Sequence, residues 1–338
     1  MGLMKRKILI IYAGGTIGMQ ASANGYVPVS GFEQRVREQL NGNTGQLPEF
    51  DVLELGQLID SANLQPHHWT ELAGIIQQHW PLYDGFIVLH GTDTMAYTAS
   101  MLSFIFQGMD KPVIVTGSQI PLSELRNDAK DNLLTSLMFA GGYDIPEVCI
   151  CFNGRLLRGN RSRKVNTTGL AAFDSPNAGW LGQAGINIEL YSRHLLQAGQ
   201  ADFTVPAFNP EAVAVLPVYP GISARIAAEI LNHKDLKGVI LHTYGAGNPP
   251  DANHALMAEL EDAVKRGVII VNVTQCQQGP VIQGAYATGA TLNRIGVIPG
   301  NDLTLEAAFT KLHYLIATQT VQRVREMMGR NLCGEMTD

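Results

Sequence analysis

Charge is scarce in this chain: Asp, Glu, Lys and Arg make up 16% of 338 residues, with 24 basic side chains against 30 acidic ones. Low charge with 46% apolar residues excludes the composition of a disordered chain. A net negative chain without a broad basic stripe is not built to neutralise phosphates, so no nucleic-acid partner is expected. Four cysteines are too few for a disulfide scaffold. Cys149 and Cys151 stand two apart in a strand-like run and point to one face, a poor geometry for a mutual disulfide. Four free thiols fit a reducing compartment. No apolar run approaches the ~20 residues of a membrane span. The apolar stretch Ile8–Tyr12 after Met1-Gly2-Leu3-Met4-Lys5-Arg6-Lys7 is shorter than the ~7–15 residues of a signal-peptide core. A cytoplasmic protein without a membrane partner is expected. The nine histidines form no H-E-x-x-H and no zinc-type cluster with cysteine, and there is no G-x-x-x-x-G-K-[ST]. No metal and no cofactor are expected.

What is present is a rhythm of short apolar runs and helical stretches. Strands are expected at 7–13, 85–90, 112–116 and 147–152, with helices at 66–80, 94–107 and 128–140 between them. That alternation predicts parallel βαβ units with helices on both faces of the sheet. From 169 to 210 the periodicity weakens. Beyond it, strands are expected at 212–218, 239–243 and 268–273, with helices at 223–231, 251–266 and 305–318 and one more after that. The expected organisation is two α/β domains with mainly parallel sheets flanked by helices. A larger N-terminal domain (1–190) joins through a linker (191–211) to a smaller C-terminal one (212–338).

Parallel sheets bind ligands beyond the carboxyl ends of their strands, so residues following a strand carry the chemistry. Ala13-Gly14-Gly15-Thr16-Ile17-Gly18 imitates a dinucleotide fingerprint, but the chain runs on into a loop, Ala23–Pro28, where that fingerprint needs a helix. Its glycines leave backbone room around one hydroxyl, Thr16. His90-Gly91-Thr92-Asp93-Thr94 precedes a helix start, where free N–H groups and the dipole favour negative charge. One of these side chains is expected to cap that helix. A threonine held there beside a carboxylate has the makings of an activated nucleophile. Thr116-Gly117-Ser118-Gln119-Ile120-Pro121 reads equally as a ligand-facing strand end or a turn. Asp60-Ser61-Ala62-Asn63 reads as a turn and cap. The basic stretch Arg155–Lys164 reads as a solvated face or an ion-pair site, and Lys164 at a buried Asp–Thr pair would be placed for proton transfer.

Together, Gly14-Gly15-Thr16-Ile17 and His90-Gly91-Thr92-Asp93-Thr94 resemble the bacterial L-asparaginase family, closest to its cytoplasmic type I branch. Tyr26-Val27-Pro28-Val29, Asp60-Ser61, Met95–Ala99, Lys111–Pro121, Tyr219–Ile222, Tyr244–Asn248 and Tyr286–Gly289 extend the likeness over nearly the whole chain. The resemblance implies an asparaginase-like fold and hydrolysis of L-asparagine to L-aspartate and ammonia without a cofactor. It implies Thr16 as nucleophile, Tyr26 as the flexible-loop tyrosine that helps remove its proton, and Thr92, Asp93 and Lys164 as a second constellation. Asp60, Ser61 and Gly91 match substrate-binding positions, and Ser118 matches one near the substrate amide. The Gly25–Pro28 stretch would act as a lid. The resemblance also implies a homo-oligomer, two close dimers forming a tetramer, with Asn248 donated across the dimer interface.

There are departures from the family pattern. Asn127-Asp128-Ala129 replaces Ser-Asp-Gly, with a small backbone effect expected. The acidic residue that secreted members donate is not evident around Gly284-Ala285-Tyr286. Arg163 and His242 occupy positions of a second, regulatory asparagine site, at which Cys276 matches. Other readings are a glutaminase-leaning enzyme, the asparaginase-like subunit of a tRNA-dependent amidotransferase, and a non-catalytic amino-acid sensor.

Overall fold

The computed structural model describes residues 6–23, 25–29, 31–40, 47–201, 203–284 and 287–338. Met1–Lys5 of the signal-like start, Asn24 of the expected Ala23–Pro28 loop, and Ala285 and Tyr286 of the second-domain motif lie outside the described residues. The chain divides into two compact units, Met1–Val205 and Pro206–Asp338.

In the first unit, β1 (Lys7–Gly14) is buried along all but its first residue, as a strand covered on both faces must be. A hairpin follows, β2 (Met19–Ser22) against β3 (Gly25–Pro28), then α1 (Phe32–Leu40), β4 (Glu49–Ile59), α2 (Pro66–His79), β5 (Gly85–Leu89), α3 (Met95–Ile105), β6 (Val113–Thr116), α4 (Ala129–Gly142) and β7 (Val148–Phe152). β8 (Arg155–Arg158), β9 (Arg163–Lys164), β10 (Phe173–Asp174), β11 (Gly182–Ala184) and β12 (Ile188–Leu190) complete it. The main sheet runs β12-β11-β8-β7-β6-β5-β1-β4. From β4 to β7 it is parallel, and β8, β11 and β12 continue it antiparallel. Alternate strand residues Ile8, Ile10, Tyr12, Ile87, Leu89, Ile114, Cys149 and Cys151 share one core with α1 and α4. Both cysteines thus face one side and are free; burial pushes the Cys151 thiol up to about 12 and that of Cys149 well above its ordinary value, which keeps them unreactive. Residues 191–205 pack on this unit: Leu196 N donates to Glu147 (2.9 Å), and Phe203 meets Trp80 and Phe106 edge-on.

The second unit is a four-stranded parallel sheet, β13 (Val213–Pro217), β14 (Gly238–Thr243), β15 (Ile269–Thr274) and β16 (Ile298–Pro299), in that order. α5 (Ala224–Leu231), α6 (His254–Lys265) and α7 (Ala287–Ile295) follow the strands. They cover the face that carries Leu216, Val239, Leu241 and Ile270. α8 (Leu305–Thr318) and α9 (Val321–Met328) cover the face of Val213, Ile240, Ile269 and Val271. Lys311 of α8 and Glu335 form an ion pair at 2.6 Å with both side chains 0% exposed. Burial drives the lysine pKa down. The cost of that burial is offset by hydrogen bonds on both partners: Lys311 also donates to the Met328 and Arg330 carbonyls, and Glu335 accepts from Leu332 N and Cys333 N. Asp302 accepts from Thr337 N and Oγ1, so the last residues are stitched to the sheet's end.

Three local expectations change. The 23–28 segment is not a loop: Gly25–Pro28 pairs with Met19–Ser22 in register Met19↔Pro28 to Ser22↔Gly25. The strand β4 and the helix α1, with Phe32, Val36 and Leu40 buried along one stripe, add to the expected elements. Of the two readings of the basic stretch 155–164, the ion-pair site holds and the solvated face does not. Arg158 pairs with buried Glu147 at 2.6 Å, Arg155 with Asp174 at 3.4 Å, and Arg161 is buried.

Candidate active site

Four neighbouring parallel strands, β6-β5-β1-β4, end beside one another, and each is followed by one of the hydroxyl-bearing motifs. Gly15 has φ +84°, and a side chain on it would run into the backbone of Gly91 and His90. A side chain on Gly91 would in turn strike Ser61. The two glycines let the backbones after β1 and β5 touch and bring the Ser61 side chain of the motif after β4 against the Gly91 backbone. The link to β6 is a hydrogen bond from His90 N to Thr116 O (2.9 Å).

Thr16 opens a 3₁₀ turn, Thr16–Gly18, immediately after this contact and is half-buried. Thr92 is 7% exposed. Its hydroxyl accepts from Lys164 Nζ at 2.8 Å and donates to Gln119 Oε1 at 3.4 Å. Lys164, on β9, also holds Asp93 at 2.7 Å. The Asp93 carboxylate is 60% exposed, so the Thr–Asp pair at Lys164 is not a buried one. Asp60 caps the 3₁₀ turn Ser61–Asn63, accepting from Ala62 N. Ser61 is buried, and its carbonyl accepts from Thr94 Oγ1 at 2.8 Å. That bond takes up the Thr94 hydroxyl, so the start of α3 has no side-chain cap. Ser118, 1% exposed, has a buried hydroxyl with no protein partner, an arrangement that persists in proteins where a ligand or water supplies the partner.

Tyr26 and Asn248 are placed by other contacts. Tyr26, on β3 and 50% exposed, donates to Glu124 Oε1 at 2.9 Å. The adjacent carboxylate raises the phenol pKa. Asn248 belongs to the second unit, where its backbone closes the Tyr244–Asn248 turn.

Four residues enter that motif spacing alone did not single out. Gln119 bridges Thr92 to the carbonyls of Thr167 (3.0 Å) and Gly169 (3.2 Å). Asp128 accepts from Gln119 N and Ile120 N at 2.9–3.1 Å, so the Asn127-Asp128-Ala129 segment pins the Ser118–Ile120 turn. Glu124 holds Tyr26. His90 is fully buried, and desolvation lowers its pKa to about 4. Trp69 Nε1 donates to Thr98 Oγ1 (3.2 Å), whose own proton is left for His90 Nε2 (3.0 Å). The remaining proton, on Nδ1, then goes to the Gly91 carbonyl (2.8 Å). Gln119 sits next to Ser118 in the quoted motif, and its glutamine side chain was the available signal; Glu124 left none.

In the second unit, Glu211, His233 and Asp235 bring three ligand atoms within 4.8 Å of one another. The trio lies on the surface, and Asp235 also pairs with Lys234.

Residues 7–196 match the model of the asparaginase N-terminal domain, and residues 212–328 that of the glutaminase/asparaginase C-terminal domain. The chain belongs to the asparaginase family. It is 46% identical over 337 residues to L-asparaginase 1 of Escherichia coli K12, covering 99% of both chains. Among solved structures it is similar to L-asparaginase I of Vibrio cholerae (TM-score 0.90, 44% identity, 98% of this chain and 99% of that one). It is also similar to the thermostable L-asparaginase of Thermococcus kodakarensis (TM-score 0.89, 30% identity, the same coverage). The asparaginase-like fold and the type I likeness read from the motifs hold on these comparisons. No described helix is long and apolar enough to cross a membrane.

Proposed function

We propose that this asparaginase-family chain hydrolyses L-asparagine to L-aspartate and ammonia. The observation that carries the reading is the backbone contact of Gly15 with Gly91, which sets the Thr16 turn against the Lys164–Thr92–Asp93 network. The relative at 46% identity, named L-asparaginase 1, supports the substrate.

A threonine hydroxyl is a weak nucleophile until a neighbour takes its proton. In this reading Thr16 Oγ attacks the side-chain amide carbon of asparagine while the Tyr26 phenol oxygen takes its proton and gives up its own, so that the phenol relays one proton and ends neutral. The amide nitrogen gains the relayed proton and leaves as ammonia. The C–N bond is replaced by an ester to Thr16, which water then cleaves to give aspartate and restore the hydroxyl. Lys164 and Asp93 hold the Thr92 hydroxyl for the proton movements on the far side of the amide. Asp60, Ser61 and Gly91 receive the amino-acid end of the substrate. Ser118, whose buried hydroxyl has no protein partner, supplies a hydrogen bond near the amide. Asn248 acts across a subunit interface in a homo-oligomer, a dimer of dimers. The setting is the cytoplasm, with no cofactor.

The test is ammonia release by the purified protein over a concentration series of L-asparagine, with L-glutamine in parallel. Turnover of asparagine well above glutamine is expected. One methylene in a pocket is worth about 1–3 kcal/mol, so a ratio near one would point to the glutaminase-leaning reading. Release from neither amide by folded protein would favour an amino-acid sensor.

A further inference from the structure

The β2–β3 hairpin carries Tyr26 into solvent: Ala21, Ser22 and Tyr26 are exposed, and so is Val27. A two-stranded hairpin alone is marginal in water, so its pose depends on what it leans on. At its root, Arg35 donates to Gly18 O (3.3 Å) and Val29 O (2.9 Å). Leu122 N donates to Ile17 O (3.1 Å) and Ser123 Oγ to Met19 O (3.3 Å). On the second strand, the Tyr26 phenol donates to Glu124 Oε1 at 2.9 Å.

The residues on the receiving side form one strut, Ser118–Glu124. Asp128 fixes its start through Gln119 N and Ile120 N, and there the Gln119 side chain meets the Thr92 hydroxyl. Its far end is held from both directions, Glu124 N donating to Pro121 O (3.0 Å) and Asn127 Nδ2 to Glu124 O (2.7 Å). The Glu124 carboxylate is thus presented from a fixed backbone to a side chain on an exposed ribbon.

We infer that Glu124 is a positioning residue for Tyr26, setting the phenol by accepting its proton and tying the hairpin to the strut that touches Thr92. A hydrogen bond to a carboxylate is stronger than one between neutral groups. It also commits the phenol proton to Glu124, which leaves the oxygen's lone pairs to receive the Thr16 hydroxyl, and donation in one direction strengthens acceptance from the other. Nothing in the chain's motifs assigns Glu124 a part. The inference rests on the reading of Tyr26 given above.

The test is a double-mutant cycle on ammonia release from L-asparagine: Tyr26→Phe, Glu124→Ala and the pair together, with Glu124→Gln as the conservative variant. Glu124→Ala is expected to lower kcat roughly tenfold, with KM changed much less and the melting temperature retained. Glu124→Gln keeps an acceptor oxygen and should recover most of that loss. The double variant should be no worse than Tyr26→Phe, since Glu124 acts through the phenol. Limited proteolysis should cut the hairpin faster in Glu124→Ala than in the unsubstituted protein. A fully additive double variant, a silent Glu124→Ala beside an impaired Tyr26→Phe, or a Gln variant as poor as Ala would overturn the inference and leave the Tyr26 reading standing. A fully active Tyr26→Phe would overturn both.

Discussion

The parallel strands of the two main sheets end in largely opposite ways. In the second unit the Thr and Asn side chains at the strand ends bond to their neighbours, although the Tyr244 hydroxyl after β14 is buried without a protein partner. Thr243 Oγ1 donates to Asn272 Oδ1 (2.6 Å), and Asn272 Nδ2 donates to Gly247 O and Gln283 Oε1. Thr274 Oγ1 donates to Gly245 O. In the first unit, Asp93 keeps a largely exposed carboxylate, Thr16 stands half-open, and Ser118 is buried without a protein partner. Similar residue types at similar places serve stability where they close on themselves; in the reading proposed above, the open set of Thr16, Asp93 and Ser118 is left for a substrate to complete, since buried polar groups are normally satisfied.

The comparison breaks most sharply at the threonines. Thr92→Ala is expected to lower asparagine turnover by about a hundred- to a thousandfold, as loss of one donor to the reacting group does in other enzymes. Its melting temperature should stay near that of the parent. Steady-state ammonia release with a thermal melt checks both halves, and undiminished turnover would sink the two-threonine reading. The counterpart in the other sheet is Asn272→Ala. It leaves Thr243 and Gly247 without their partner and should cost about 3 kcal/mol of stability, read by urea unfolding, with a smaller effect on turnover.

Acid tests what the units share. Each holds a buried histidine, His90 in one and His313 in the other, and burial lowers both pKa values to about 4. In the unfolded chain a histidine binds its proton near pH 6.5. Between pH 6.5 and about 4 the unfolded state therefore holds more protons, and stability falls as pH drops through that window. Each histidine should contribute up to roughly 3 kcal/mol. Urea midpoints at pH 7, 5.5 and 4.5 should decline, and His313→Gln should decline less steeply than the unsubstituted protein, whatever its absolute stability. The smallest effect is expected at Ser118→Ala: a several-fold rise in KM with stability unchanged or slightly raised, because the lost hydroxyl leaves no protein group unpaired. A destabilised Ser118→Ala protein would place that residue with the self-satisfied set.

What was legible in the sequence follows from range. β1, β5 and β6 are continuous apolar runs because both their faces are covered, and the hydroxyl motifs stand directly behind them, so local pattern located them. The hairpin at 19–28 was missed because its residues are exposed and unpatterned; its support comes from Leu122–Glu124, about a hundred residues away. The basic stretch 155–164 stayed open between a solvated face and an ion-pair site because its acidic partners, Glu147, Asp174 and Asp93, lie on other elements. Asp128 looked like a helix start with small effect. Its carboxylate caps no backbone N–H of its own helix; it accepts from the Asn132 side chain and from the 119–120 backbone, and no local pattern records the second.

The clamp between Lys311 and Glu335 carries a consequence for the life of the chain in a cell. A protease that cut the chain between Arg330 and Glu335 would free the counter-ion of an ammonium group buried in the second unit. An uncompensated buried charge costs about 3–5 kcal/mol, a large part of a domain's margin. A single cut there would therefore be felt as loss of the second unit's fold, and a nicked molecule would be cleared rather than persist as a working one.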